Sequence, residues 1–74
     1  MEKKLSDLKK NEIAKIKKVE GDSHLKRRLF ELGMLVGEEV QILSISPLKN
    51  SFIISLKGYC FAVRRDVAKK ILVV

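Results

Sequence analysis

Beyond Gly37 the chain alternates apolar and polar residues with the period of a half-buried strand. Val40 and Ile42 fall opposite Glu39 and Gln41, and the run ends before Pro47, which has no N–H to give a central ladder. Leu48 to Ser51 reads as a turn. Phe52, Ile54 and Leu56 then share one face, and Gly58 marks the next tight turn. In the strand that follows, Tyr59, Phe61 and Val63 oppose the smaller Cys60 and Ala62. A helical turn fits Arg65 to Lys70, and Ile71 to Val74 reads as a final short strand.

The first half carries a different rhythm. Ile13, Ile16 and Val19 lie among lysines in a mixed pattern that reads as a strand from Glu12 to Val19, stopped by Glu20-Gly21-Asp22. One helix of about ten residues is predicted near Ser23, which can cap it. Leu25, Leu29 and Leu32 at i, i+4 and i+7 make its apolar stripe, and Gly33 can take the positive φ that ends it. So short a helix needs the strands to pack against, with Lys26 and Arg27 turned away. The predicted fold is mainly β, a small barrel of about five antiparallel strands with one short helix. Its predicted core is Leu8, Ile13, Leu25, Leu29, Leu32, Val40, Ile42, Ile54, Leu56, Phe61, Val63 and Ile71.

Composition sharpens this picture. The 74 residues are 46% hydrophobic and 34% charged, too apolar for a disordered tail and sized for one domain, residues 1–74. A single cysteine, Cys60, rules out an internal disulfide framework and points to a reducing, cytoplasmic compartment. The start of the chain, from Met1 to Asp7, has no apolar run after its lysines, so neither a leader nor a membrane span is expected. The formal charge of +7 is uneven: residues 1–28 carry +5, residues 29–63 carry −1 and residues 64–74 carry +3. Such basic ends attract RNA, an anionic membrane surface or an acidic protein face, and equally keep a small barrel soluble.

Little chemistry can be assembled from these residues. The four glycines do not form a phosphate-binding loop, and His24, the only imidazole, sits beside Ser23 at a helix start. Glu38 and Glu39 point to opposite faces of a strand and cannot act as an acid and base pair. One Cys and one His, 36 positions apart, do not supply the ligands of a metal site, and Cys60 reads as a small buried strand residue. No enzyme activity, cofactor or metal is expected. Arg27-Arg28 and Arg64-Arg65 could grip phosphates, although Phe52, Phe61 and Tyr59 are claimed by the barrel and leave little for base stacking. The segment from Leu32 to Gly37 packs four apolar side chains between a helix end and a strand. Either Met34 and Val36 close one end of the barrel or some of the four face a partner.

The run Arg27-Arg28-Leu29-Phe30-Glu31-Leu32-Gly33-Met34-Leu35-Val36-Gly37-Glu38-Glu39-Val40 resembles the signature Arg-Arg-Leu-x-Glu-Leu-Gly-(Leu/Met)-x-Pro-Gly-x-x-Val of the bacterial FeoA family, ferrous iron transport protein A. The likeness extends to Leu5-Ser6-Asp7-Leu8, Ser46-Pro47-Leu48, Gly58-Tyr59, Val63 to Ala68 and the closing Ile71 to Val74. Val36 stands where the family usually has Pro, Asn11 where it often has Gly, and Lys49-Asn50-Ser51 where a Gly-containing turn is common. The resemblance implies an SH3-like barrel that works on the cytoplasmic side of the membrane-embedded ferrous iron transporter FeoB, regulating or assembling it. Iron would be carried by that partner. Arg27, Arg28, Met34 and Leu35 are the expected docking residues, with Tyr59 and Arg64 as the alternative surface. Two other readings stay open: a nucleic-acid-binding barrel, and a detached regulatory module of a metal-dependent repressor, against which the lack of a DNA-reading helix-turn-helix argues.

Overall fold

Residues 3–74 are described by the computed structural model; Met1 and Glu2, the first residues of the expected domain, lie outside them. The elements are β1 (Lys3–Lys4), a 3₁₀ turn (Leu5–Asp7), β2 (Ile13–Val19), α1 (Ser23–Glu31), β3 (Glu39–Ile45), β4 (Ser51–Leu56), β5 (Tyr59–Arg64), α2 (Arg65–Ala68) and β6 (Ile71–Val73). All pairings are antiparallel, in the order β1-β6-β2-β3-β4-β5.

That order corrects the expected five-stranded barrel. The sheet has six strands and stays open, because β1 and β5 end it on opposite sides and do not pair with each other. Closure is replaced by packing. After β5 the chain turns through α2, which lies against the 3₁₀ turn, and Leu5, Leu8 and Ala68 fill the gap from these elements as fully buried side chains. The gap between the edges is therefore filled by apolar side chains and not by ladder hydrogen bonds. The predicted mainly β character, the single helix of about ten residues and the turn before the last strand are all present.

Period-2 geometry decides which residues enter the core. On β2 Ala14 and Ile16 point inward, so Ile13, on the opposite parity, is 54% exposed and does not belong to the core as expected. A register shift between Ile16 and Lys18 then re-aims the strand, and Val19 packs against the core. The same device recurs on β3, where a shift between Ile42 and Ser44 brings both Ile42 and Ile45 inward. An apolar spacing of three within a strand is thus the trace of a bulge. Phe52, Ile54 and Leu56 form the floor from β4, and Ile71 and Val73 enter from β6.

Asp22, not Ser23, caps α1: its Oδ1 accepts from the Leu25 N–H at 2.8 Å. The other end is a Schellman turn. Gly33 at φ +91° lets its own N–H donate to Phe30 O at 2.9 Å and the Met34 N–H donate to Leu29 O at 3.0 Å. This reversal folds Met34 back onto the core beside Leu29, leaving Met34 only 2% exposed.

The departures from the family signature also acquire physical reasons. Asn11 has φ 69° and Lys49 φ 57°, left-handed conformations that glycine adopts without strain and that asparagine tolerates. Around Lys49, Ser46 Oγ accepts from the N–H groups of Asn50 and Ser51 at 3.1 Å each and holds the turn without a glycine. At the third departure, the Glu38 N–H donates to Leu35 O at 3.0 Å and Gly37 takes φ +91°, the geometry of a type II turn with Val36 second. The Val36 N–H donates to no backbone carbonyl among the described residues. Val36→Pro should therefore raise stability by about 0.4–1 kcal/mol by restricting the unfolded chain. A urea midpoint at or below that of the parent protein would show that the turn rejects proline.

Candidate docking site

Two of the expected contact residues meet at one place. Arg28 lies in the last turn of α1, where the helix C-terminus favours a cation, and Arg64 closes β5 opposite Ser51. The next residue, Arg65, donates its N–H to Asn50 O at 3.0 Å, which fixes the end of that strand. Between α1 and β5 runs an open groove of about 380 Å³, lined by Leu25, Arg28 and Leu32 from the helix and by Phe61, Ala62 and Arg64 from the strand. Among the described residues, two arginines and no acidic residue line it.

The remaining expected residues are dispersed. Tyr59 opens β5 and is 75% exposed, and Arg27 is exposed on α1 outside the groove lining. Leu35 is half-buried in the turn after the helix. Met34 belongs to the core, so its side chain is not displayed to a partner. Cys60, expected to be buried, is exposed, because it lies on the face of the edge strand opposite Phe61 and Val63.

Leu32 shows why the groove escapes sequence reasoning. It completes the leucine stripe and was expected in the core, yet it is 53% exposed at the C-cap of α1. The helix contributes one fully buried residue, Leu29, while Leu25 and Leu32 form a wall beside β5. Phe61 is likewise only part-buried. A leucine facing a core and a leucine facing a groove have the same spacing in sequence. The only available signal was the surplus of apolar residues around the helix end.

A second, polar depression of about 480 Å³ is lined by Asn50, Ser51, Arg64, Arg65 and Asp66. No aromatic side chain lines it, so it provides no platform for base stacking. Among the described residues no group of three His, Cys, Asp or Glu side chains is placed to hold a metal ion. None of the described helices is long and apolar enough to cross a membrane.

An open antiparallel β-sheet with an apolar, arginine-rimmed groove beside its one longer helix is the architecture of a small mainly β domain. The family profile described as FeoA domain matches residues 3–74, and the chain belongs to the FeoA family. It is 30% identical over 68 residues to the Fe(2+) transport protein A/Fe(2+) transporter FeoB fusion protein of Porphyromonas gingivalis (strain ATCC BAA-308 / W83). That match takes in 92% of this chain but only 8% of the fusion protein. The solution structure of the FeoA protein from Chlorobium tepidum superposes with a TM-score of 0.89 at 31% identity, covering 96% of this chain and 68% of that one. A manganese-dependent transcriptional repressor superposes with a TM-score of 0.90 over 99% of this chain and 41% of its own; at 12% identity that likeness shows the fold alone. The FeoA family is one of accessory, non-catalytic domains.

Proposed function

We propose that this chain is a small accessory protein of ferrous iron uptake that binds the cytoplasmic side of a FeoB-type transporter and regulates or assembles it. The fusion protein carries the proposal: there a domain similar to this chain is joined covalently to the transporter, and a covalent join is the limiting case of high effective concentration between two binding partners. A separate chain must reach the same partner through a surface. The groove face supports that role, with Arg28 and Arg64 at the groove, Arg27 and Tyr59 exposed outside it and Leu35 at the turn after the helix. Apolar walls lose little entropy on burial because α1 and β5 already hold them, while the arginines steer an acidic face into contact.

Co-purification from the native membrane tests this reading. The transporter should be recovered with the tagged chain, and deleting the chain should lower uptake of labelled Fe(II). Raising salt should slow association but leave the assembled complex largely intact. Recovery of nucleic acid with steeply salt-dependent affinity, and no transporter, would instead establish the nucleic-acid reading.

A further inference from the structure

The free edge of β5 is an unusual one. Edge strands are normally blunted by lysines, proline, a bulge or short length. The opposite edge follows this rule, since β1 is two residues long and both are lysines. On β5 no such protection exists: residues 59–63 carry no charge and no proline, and the ladder with β4 runs over six consecutive pairs without a register shift. The two-residue hairpin Lys57-Gly58 makes Leu56 and Tyr59 a hydrogen-bonded pair. Cys60 and Ala62 therefore direct their N–H and C=O groups away from β4, and among the described residues neither N–H donates to a backbone carbonyl elsewhere.

The groove lies along this same edge. Four consecutive residues, 61–64, line it, although alternate residues of a strand face opposite sides of a sheet. A depression at the edge of the strand is lined in that way. Its far wall is the leucine side of α1, and its charges among the described residues are Arg28 and Arg64.

We propose that the edge of β5 accepts an extended segment of the transporter's cytosolic part as a seventh, added strand. Backbone hydrogen bonds to Cys60 and Ala62 would give the pairing, alternate apolar residues of the segment would enter between α1 and β5, and an acidic residue would meet Arg28 or Arg64. The charge of the site selects this occupant over a second copy of the chain, whose formal charge is +7 and which would bring further arginines to the same groove. The inference rests on the proposed docking to the transporter and specifies its form.

Ala62→Pro tests it. The Ala62 N–H is not used by β4, so proline is tolerated on the free side of the edge strand, but it removes the central donor and obstructs an added strand. Unchanged thermal unfolding confirms the fold; should Ala62→Pro unfold the chain, an N-methyl amide placed at Ala62 by chemical synthesis serves instead. Two probes are used on the full chain: detergent-solubilised transporter, and a synthetic peptide of about ten residues, alternating Val and Thr with Glu at both ends. Blocking the amide should weaken binding of both by about tenfold or more, and Arg64→Glu should weaken both by about threefold or more. Amide exchange at Cys60 and Ala62 should slow when the peptide is bound. Binding of either probe that is indifferent to the blocked amide overturns the inference, as does failure of both probes to bind, or self-association through β5 at the concentrations used. Binding of the peptide with the expected sensitivities, but not of the transporter, upholds strand addition and overturns the transporter as its source.

Discussion

Leu29→Ala should destabilise the protein by about 2–5 kcal/mol, the range for emptying a buried leucine site. Leu29 is 4% exposed and is the only fully buried side chain of α1. Its carbonyl also accepts from the N–H groups of Leu32 and Met34 at 3.1 and 3.0 Å, so the same residue anchors the helix and its terminating turn. Neither neighbour in the stripe can take over, because Leu25 is half-buried and Leu32 faces the groove. A domain of this size has a net stability of only about 3–5 kcal/mol, so most of the variant should be unfolded at 37 °C. Leu32→Ala supplies the contrast and should change stability by less than about 0.5–1 kcal/mol. Urea unfolding of both variants decides the matter. Equal losses at the two positions would mean that the stripe packs as a unit and that the groove wall is part of the core.

Met34→Ala should cost a comparable amount, about 2–5 kcal/mol. Its burial follows from backbone geometry: the left-handed conformation of Gly33 reverses the chain, and Met34 lands beside Leu29. One residue later, Leu35 is half-buried, and Leu35→Ser should leave the fold in place with a loss of about 1 kcal/mol or less. The two positions thus separate support from contact. Loss of transporter binding in Met34→Ala should track the unfolded fraction, whereas any loss in Leu35→Ser should occur in a folded protein. A Met34→Ala variant that keeps full stability yet fails to bind the transporter would return Met34 to the docking surface.

The strands of the second half were legible because their alternation coincides with real faces. Val40 with Ile42, Ile54 with Leu56, and Val63 each enter the core where parity places them. On β2 the two isoleucines of opposite parity could not both face inward, and the lone small residue Ala14 fixed the choice in favour of Ile16. Leu5 and Val73, absent from the predicted core, are fully buried for reasons that lie outside their local patterns, whereas Phe52, also absent from it, is buried on the face its own alternation assigns. Leu5 fills the space between the unpaired ends of the sheet, Phe52 faces inward with Ile54 and Leu56, and Val73 is covered because β6 lies between β1 and β2.

By itself the sequence determined the family, the mainly β class, the position of α1 and its stop at Gly33. Each of these depends on residues near one another in the chain, where strand and helix periods, turn conformations and a contiguous signature are expressed directly. Strand order was decided only in the tertiary structure, and with it the open sheet, the free edge of β5 and the groove beside α1. Those features join residues such as Arg28 and Arg64, or Leu32 and Phe61, that lie 36 and 29 positions apart. Their meeting depends on how α1 comes to lie beside β5 in the folded chain, a long-range outcome that no local period encodes.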